Sequence, residues 1–360
     1  MAPDLLCSHH FAGALLNIHD LAKELKVSIG TVSRALNGKS GVKDETRTRV
    51  LEKARQLGYS PNQSGRSLRQ GTTGLVGFMI VTNRERAYRG EAFFMSVLDG
   101  LQTYLAGRNL ELVVHLCGSD QDPELHLRRV VERRLVDGII LSQTRRRDSR
   151  IAYLNARKLP FIAFGRSQEP GKYSWLDLDF EGVAEKAIDH LVTLGHRRIA
   201  VATAADDINF GHVYVEACRA SLARRGIGLP DEYILREALT EAGGYKAGER
   251  ILELARRPTA VVLVESTMAL GLYHKFHDAG LEAGREISVV GFDNSPTGDF
   301  LRPTLTQFQL SHQELGLWLG ENIVAQLAAN AGNKRIKQVN KIWPMEMIVG
   351  GSSGVLPRER

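Results

Sequence analysis

Between Ile18 and Asn37 the chain reads IHDLAKELKVSIGTVSRALN, two short helical repeats on either side of a tight turn at Val27. In the second repeat Val32, Ala35 and Leu36 fall on an inward face, which turns Ile29, Gly30, Thr31, Ser33, Arg34 and Asn37 outward. Ser28 stands where it can cap the first turn. The outward set is suited to a polyanionic duplex. Ser28, Thr31, Ser33 and Asn37 can bond phosphate oxygens, Arg34 can fork onto a guanine edge, Ile29 can meet a thymine methyl, and Gly30 carries no side chain to read with. A helix with this face fits the major groove of DNA; an ordinary helical hairpin inside a larger core is the plainer alternative.

Two further helices must hold that face in place. Ile18, Leu21, Ala22 and Leu25 give the first repeat one apolar side, behind Asn17 as N-cap and Asp20 in the first turn. A third helix, DETRTRVLEKARQLGY, offers Thr46, Val50, Ala54 and Leu57 as its inward stripe, favoured at its start by Asp44 and Glu45 and stopped by Gly58. Three such helices can enclose one small core. The following SPNQSGRSLRQGTT is rich in Ser, Gly and Gln and reads as a linker that becomes helical only with outside support.

Charge is distributed in the same way. Residues 1–73 carry eleven Lys/Arg against six Asp/Glu, +5 of the +6 net charge of the whole chain. An excess confined to the segment with the hairpin is expected of a polyanion-binding head on a nearly neutral body. With 360 residues, 43% of them hydrophobic, the chain can bury more than one core. No apolar run approaches the roughly 20 residues of a membrane span. The N-terminal MAPDLLCSHHFAGALL has no basic flank and contains Asp4, so it is a poor signal peptide, and a cytoplasmic protein is expected. Cys7, Cys117 and Cys218 are far apart, as reduced thiols are, and Cys7 with His9 and His10 is a weak metal candidate; no metal and no cofactor is expected.

Beyond the linker, apolar runs alternate with amphipathic stretches. Strands are predicted at 75–81, 110–116, 137–142, 160–164, 198–203, 260–264 and 287–291, and helices near 93–107, 122–134, 149–157, 180–194, 211–225, 243–256 and 268–279. This is an α/β pattern of two doubly wound parallel-sheet lobes behind an all-α helix-turn-helix head. Ligands of such sheets lie beyond the carboxyl ends of the strands, so the pocket is expected between the lobes.

VSIGTVSRALNG and ETRTRVLEKARQLGYSPNQSGRSLR, followed in order by LVGFMIV, VDGIILS, LPFIAFGR, DHLVTLGHRRIAV, ISVVGFDNSP and PTLTQF, resemble the lactose/galactose repressor family of bacterial transcription factors from about Ile18 to Gly351. The resemblance implies a periplasmic-binding-protein-like body with lobe crossovers near 166, 309 and 335. It also implies a homodimer, or a tetramer, on a near-palindromic double-stranded operator. In the hinge it makes Leu68 an apolar minor-groove wedge with Arg69 beside it, and assigns Asn62, Ser64 and Arg66 to the same segment. The implied domains are an extension at 1–16, a head at 17–60, a hinge at 61–73, an effector and dimerisation body at 74–351 and a tail at 352–360. The tail has no heptad for a tetramerisation bundle.

In the implied pocket, Asp293 falls where the family often presents a carboxylate to ligand hydroxyls, although an Asp capping the next turn fits equally. Arg166 stands at the first implied crossover, able to reach ligand or to pair with a neighbour, and Phe93 and Phe94 can offer an aromatic wall or pack in the core. The chain departs from the family pattern at Glu265–Ser266, where Asn-Asp is frequent, and at Tyr214, where Arg is frequent. A carboxylate is added and a cation removed, which favours a neutral, sugar-like effector. Against it stands TRRRDSR at 144–150, a basic run that suits an anion or a solvated loop. The function expected is an allosteric repressor of carbohydrate-use genes, with a non-sugar effector as alternative. A transport protein would need export, a packaging protein would not need the body, and an enzyme is disfavoured because no H-E-x-x-H, P-loop or G-x-G-x-x-G is present.

Overall fold

The computed structural model describes residues 17–36, 38–57, 59, 72–82, 91–293 and 296–356. The extension 1–16, Asn37, Gly58 and the hinge residues Asn62, Ser64, Arg66, Leu68 and Arg69 lie outside them. The chain falls into two units, residues 1–73 and 74–360.

In the first unit α1 (Ile18–Leu25) opens with a capping box: Asn17 Oδ1 accepts from the His19 and Asp20 backbone, and Asp20 accepts from the Asn17 N–H at 3.1 Å. Lys26 takes a left-handed conformation and ends the helix. Helix α2 (Ile29–Leu36) starts at Ser28, whose hydroxyl accepts from the Thr31 N–H at 3.1 Å. With α3 (Asp44–Gln56), the helices bury Leu21, Ala22, Val32, Ala35, Val50 and Ala54. Leu57 does not complete the inward stripe. It is 38% exposed past the end of α3, and Tyr59 packs on the core instead, its N–H donating to Ala54 O at 2.8 Å.

In the second unit β1 (Leu75–Val81), β2 (Glu111–Cys117), β3 (Gly138–Leu141), β4 (Phe161–Phe164), β5 (Ser174–Leu178) and β11 (Asn340–Trp343) form a parallel sheet in the order β11-β5-β4-β3-β1-β2. Helices α4 (Glu91–Ala106), α5 (Pro123–Glu132), α6 (Ser149–Arg157) and α12 (His312–Ala331) belong to this lobe. The second lobe has β6 (Ile199–Ala204), β7 (Ile234–Glu237), β8 (Ala260–Leu263) and β9 (Ser288–Val290), parallel in the order β7-β6-β8-β9. Its helices are α7 (Phe180–Thr193), α8 (Asn209–Arg224), α9 (Glu241–Glu253) and α10 (Met268–Asp278). A short α11 (Pro296–Phe300) follows β9, and β10 (Gln307–Gln309) pairs antiparallel with β12 (Glu346–Ile348).

Two of the implied crossovers are displaced. After residue 166 the chain stays in the first lobe, because β5 adds to β4 and later receives β11; the passage comes at Asp179, between β5 and α7. The last comes after β11, between Trp343 and Glu346, rather than near 335, because residues 340–343 still complete the first sheet.

Helices α4 and α12 meet backbone to backbone. A Cβ on Gly100 would run into Gln313 O, and one on Gly316 into Val97 O, so both positions require glycine for close approach.

The lobes are clasped where their strands end. Asn209 donates its backbone N–H to Thr144 O at 2.9 Å and its side-chain amide to Arg166 O at 2.8 Å, and Thr144 Oγ1 donates to Arg166 O at 2.9 Å. Arg145 and Ile208 form an isolated antiparallel bridge beside this node. Within the basic run Asp148 and Arg150 form a buried structural pair, while Arg145 and Arg147 are exposed. Arg150 and Asp148 are buried and bonded through Nε–Oδ1 at 2.9 Å and Nη2–Oδ2 at 2.7 Å, while Arg150 also donates to the carbonyls of Ser142 and Gln143. Burial opposes the Asp148 charge, but the Arg150 bonds outweigh it and hold its carboxyl below the ordinary value. Arg166 is tied at Nε to Asp177 (2.6 Å) and at Nη2 to Glu181 (2.7 Å).

Asp148→Ala should lower the stability of the body by about 3 to 5 kcal/mol in urea unfolding, since it strands a buried guanidinium; a loss below about 1 kcal/mol would refute this role. A second outcome concerns pH. Burial pushes the Asp177 carboxyl from 3.8 up to about 6, despite Arg166 beside it. The native state then holds an extra proton in that window, so the contribution of Asp177 to stability is greatest below it and declines as pH rises through about 6. In thermal melts across this window, Asp177→Asn should lose this decline; a slope equal to that of the unsubstituted protein contradicts it.

Candidate nucleic-acid interface and ligand cleft

On the head, Ser28, Ile29, Gly30 and Arg34 are exposed, and Thr31 and Ser33 are half-buried. The Ser28 and Thr31 hydroxyls bond each other at 2.9 Å, so they act as a fixed pair whose remaining lone pairs and proton face outward. The Arg34 guanidinium lies over Gly30, with both terminal nitrogens 3.7 Å from where a Cβ would stand. Glycine here leaves the arginine a flat bed. Lys53 pairs with Glu24 at 3.0 Å, and Arg47 and Arg49 donate to the carbonyls of Lys39 and Leu25, which tie α3 to the other two helices. Arg34 has no such tie among the described residues and keeps its five donors for an external partner.

On the body, Arg166, Glu265 and Asp293 follow the strands β4, β8 and β9, and Phe93 lies in the first turn of α4. Asp293 follows β9 and is buried; Ser266 donates its hydroxyl to Asp293 O at 2.7 Å and its backbone N–H to Oδ1 at 3.4 Å. The Ser266 oxygen also accepts from the Phe292 and Asp293 N–H groups. The departure at Glu265–Ser266 thus replaces one polar pair by another that braces the Asp293 turn. Burial pushes the Asp293 carboxyl up, against the attraction of His312 and the Ser266 bonds. Glu265 Oε1 accepts from Thr267.

Phe93 and Phe94 are both half-buried and packed against the core, Phe93 stacked on Phe164 at 5.9 Å and edge-on to His312 at 4.9 Å, Phe94 edge-on to Phe78 at 5.9 Å. Tyr214 does not line the cleft surface. It is fully buried, its ring edge-on to Phe292 at 5.9 Å, because the inward face of α8 has no room beyond the stacked rings of Phe180, Phe210 and Phe292. Arg166 is half-buried, with its charge taken up by Asp177 and Glu181.

Residues the sequence did not point to include Asn209 of the clasp, Asp177 beside Arg166 and His312 at the start of α12. Only His312 carried a signal, an imidazole just after PTLTQFQLS where the chain returns to the first lobe. Contrary to the expectation that motifs of hydrolytic enzymes are missing, Gly350, Ser352 and Gly354 have the G-x-S-x-G spacing of a nucleophile elbow. Ser352 is buried, donates to Val289 O at 2.6 Å and accepts from Thr306 N–H at 2.7 Å, so its hydroxyl is a structural brace. An open groove of about 520 Å³ lies along α8 and β7, but its Arg146 and Arg219 are paired with Glu216 and Asp231. Among the described residues no helix is long and apolar enough to cross a membrane, and no cluster of His, Cys, Asp and Glu could hold a metal ion.

Comparison with known proteins agrees with this anatomy. A family model described as bacterial regulatory proteins, lacI family, matches residues 17–62, and one described as a periplasmic binding protein-like domain matches residues 188–353. The HTH-type transcriptional regulator AglR of Rhizobium meliloti (strain 1021) is 31% identical over 344 residues, 95% of each chain. Among solved structures, the lac repressor dimer bound to operator and the anti-inducer ONPF has a TM-score of 0.81 at 21% identity, covering 96% of this chain and 100% of that one. A complex of the transcriptional regulator CelR with cellobiose has a TM-score of 0.70 at 23% identity, covering 94% and 99%. The fold is that of these regulators, and by its near-full-length likeness to AglR the chain belongs to the lacI family of bacterial regulatory proteins, with a DNA-binding head and an effector-binding body.

Proposed function

We propose that this protein is a cytoplasmic repressor of carbohydrate-use genes that reads a near-palindromic operator with α2 and releases it in response to a neutral sugar. The observation that carries this reading is the exposed, untethered Arg34 guanidinium bedded on Gly30, beside the bonded Ser28–Thr31 pair, in a head with its own core. Arg34 reads a guanine edge, Ile29 a thymine methyl, and Ser28, Thr31, Ser33 and Asn37 set the register on phosphates. The protein acts by binding and is not an enzyme.

The neutral character of the effector is supported by how charge is used around the cleft. Arg150 and Arg166 already have carboxylate partners, while Asp293 and Glu265 add acidic oxygens. Acidic oxygens disfavour an anionic ligand, whereas a hydroxyl-rich one would meet acceptors. In the similarly folded CelR the bound molecule is cellobiose. Assembly as a homodimer is supported by exposed apolar side chains: Met95 on α4, Val114 and Leu116 on the edge strand β2, Leu270 on α10 and Phe300 on α11, the last 79% exposed. Closure of the lobes on the sugar shifts the population of dimers able to grip both half-sites.

Arg34→Ala should cost about 1 to 3 kcal/mol in operator affinity and relax discrimination at one base pair, read by selection of bound genomic fragments. Equal, salt-sensitive binding to every duplex by the unsubstituted protein would sink the DNA reading. Calorimetry against neutral mono- and disaccharides and their phosphorylated counterparts tests the effector. Heat from the anionic compounds alone would overturn the neutral-sugar reading.

A further inference from the structure

Two ion pairs cross between the lobes among the described residues, and they are held in different ways. Arg166–Glu181 lies beside the passage at Asp179 and shares its guanidinium with the buried Asp177, so it belongs to the fixed part of the joint. Arg146–Glu216 is exposed. Its arginine is aimed from the first lobe: Arg146 O accepts from the Gln168 N–H at 2.7 Å and from the Ser167 hydroxyl at 3.1 Å, and Arg146 Nε donates to Gln168 Oε1 at 3.2 Å, which leaves Nη2 to reach Glu216 Oε1 at 3.1 Å. The pair borders the open groove along α8 and β7, with the arginine side chain 41% and the glutamate 61% exposed. Asn209, whose bonds to Thr144 O and Arg166 O make the clasp, is the first residue of α8, and Glu216 stands seven residues further on, about 10 Å along the helix.

That offset acts as a lever arm. A rotation of one lobe on the other by about 15° at the clasp hardly moves Asn209 but shifts Glu216 by about 3 Å, enough to part a pair joined by a single contact. We propose that Arg146 and Glu216 form an interlobe latch, joined in one arrangement of the lobes and parted in the other, which makes the balance between the two depend on ionic strength. The inference rests on the reading that lobe movement governs the grip on DNA, and adds what biases that movement when the effector itself carries no charge. The clasp bonds are buried and uncharged and do not answer to salt, whereas an exposed ion pair weakens as counterions screen it. Gln168 is the positioning residue, because it holds the guanidinium across the gap. Salt is therefore a second input, received at the rim of the joint and separate from the effector.

The test uses the full chain with one spin label on each lobe, at Arg133→Cys and Glu232→Cys, both exposed, in a Cys7→Ser background that leaves the buried Cys117 and Cys218. Mixing with excess unlabelled chain makes the labels report distances within one chain. Between about 50 and about 500 mM KCl the ratio of two interlobe distances should change about two- to fivefold, the range of an exposed ion pair. Glu216→Gln should take the high-salt ratio at low salt and respond no further, and Gln168→Ala should lose part of the response. The reversed pair, Arg146→Glu with Glu216→Arg, should restore it. In calorimetry the tightest-binding sugar of the neutral panel should follow the same factor, although it has no charge to screen. A ratio that does not change with salt in the unsubstituted protein overturns the proposal, as does an equal response in Glu216→Gln. If the labels respond as expected and no panel sugar binds, the neutral-sugar reading falls and the latch stands.

Discussion

The body depends on a charge pair in which neither partner touches water. Arg150 and Asp148 are both buried, and the guanidinium also serves the carbonyls at the end of β3. Taking two charges from water is expensive, and the attraction between them recovers the cost only when every donor and acceptor is engaged. Here the geometry meets that demand. The loop is thereby fixed, and with it the residues that form the node between lobes: Thr144, Arg145 and Arg146 meet Asn209, Ile208 and Glu216. A ligand entering between the lobes works against a defined joint, which is what turns a small contact into a change of state.

The head solves a different problem with a smaller core. Six buried side chains, none larger than leucine, hold three helices. So little apolar area needs help from the helix ends, which the Asn17–Asp20 box and the Ser28 cap supply. The cap has a second effect. By fixing Ser28 against Thr31 it places two hydroxyls at the start of α2, beside the arginine, without spending a residue on structure alone.

Much of this was legible in the sequence for identifiable reasons. Parallel strands buried on both faces read as unbroken apolar runs, so β1 was bounded without error and α6 likewise between its Asp cap and Lys158. The strand β5, SWLDL, was not, because its Asp177 reads as a break until Arg166 is seen to pair with it. Missing β5 is also what misplaced the first crossover. Helix α12 was passed over because Gly316 and Gly320 look like interruptions, whereas they are where α4 comes close. In the site, Asp293 and Arg166 are legible as residue types at strand ends, but what each does is not, since their bonds to Ser266 and Asp177 join positions distant in sequence. The facing of Tyr214 is not legible for the same reason: a tyrosine on α8 can face either way, and only the Phe180–Phe292 stack decides.

Both sheets are finished by the end of the chain. The outermost strand of the first, β11, comes from residues 340–343, and in the second Val289 N–H donates to Ser352 O at 2.8 Å, while His196, buried beneath, bonds Gly354 O at 3.0 Å. During synthesis the three-helix head can therefore close its core long before either lobe has its last partner. A chain without residues 340–354 would keep the three-helix head intact while both sheets of the body lost a finishing partner, so the two units differ in how far along the chain each becomes complete.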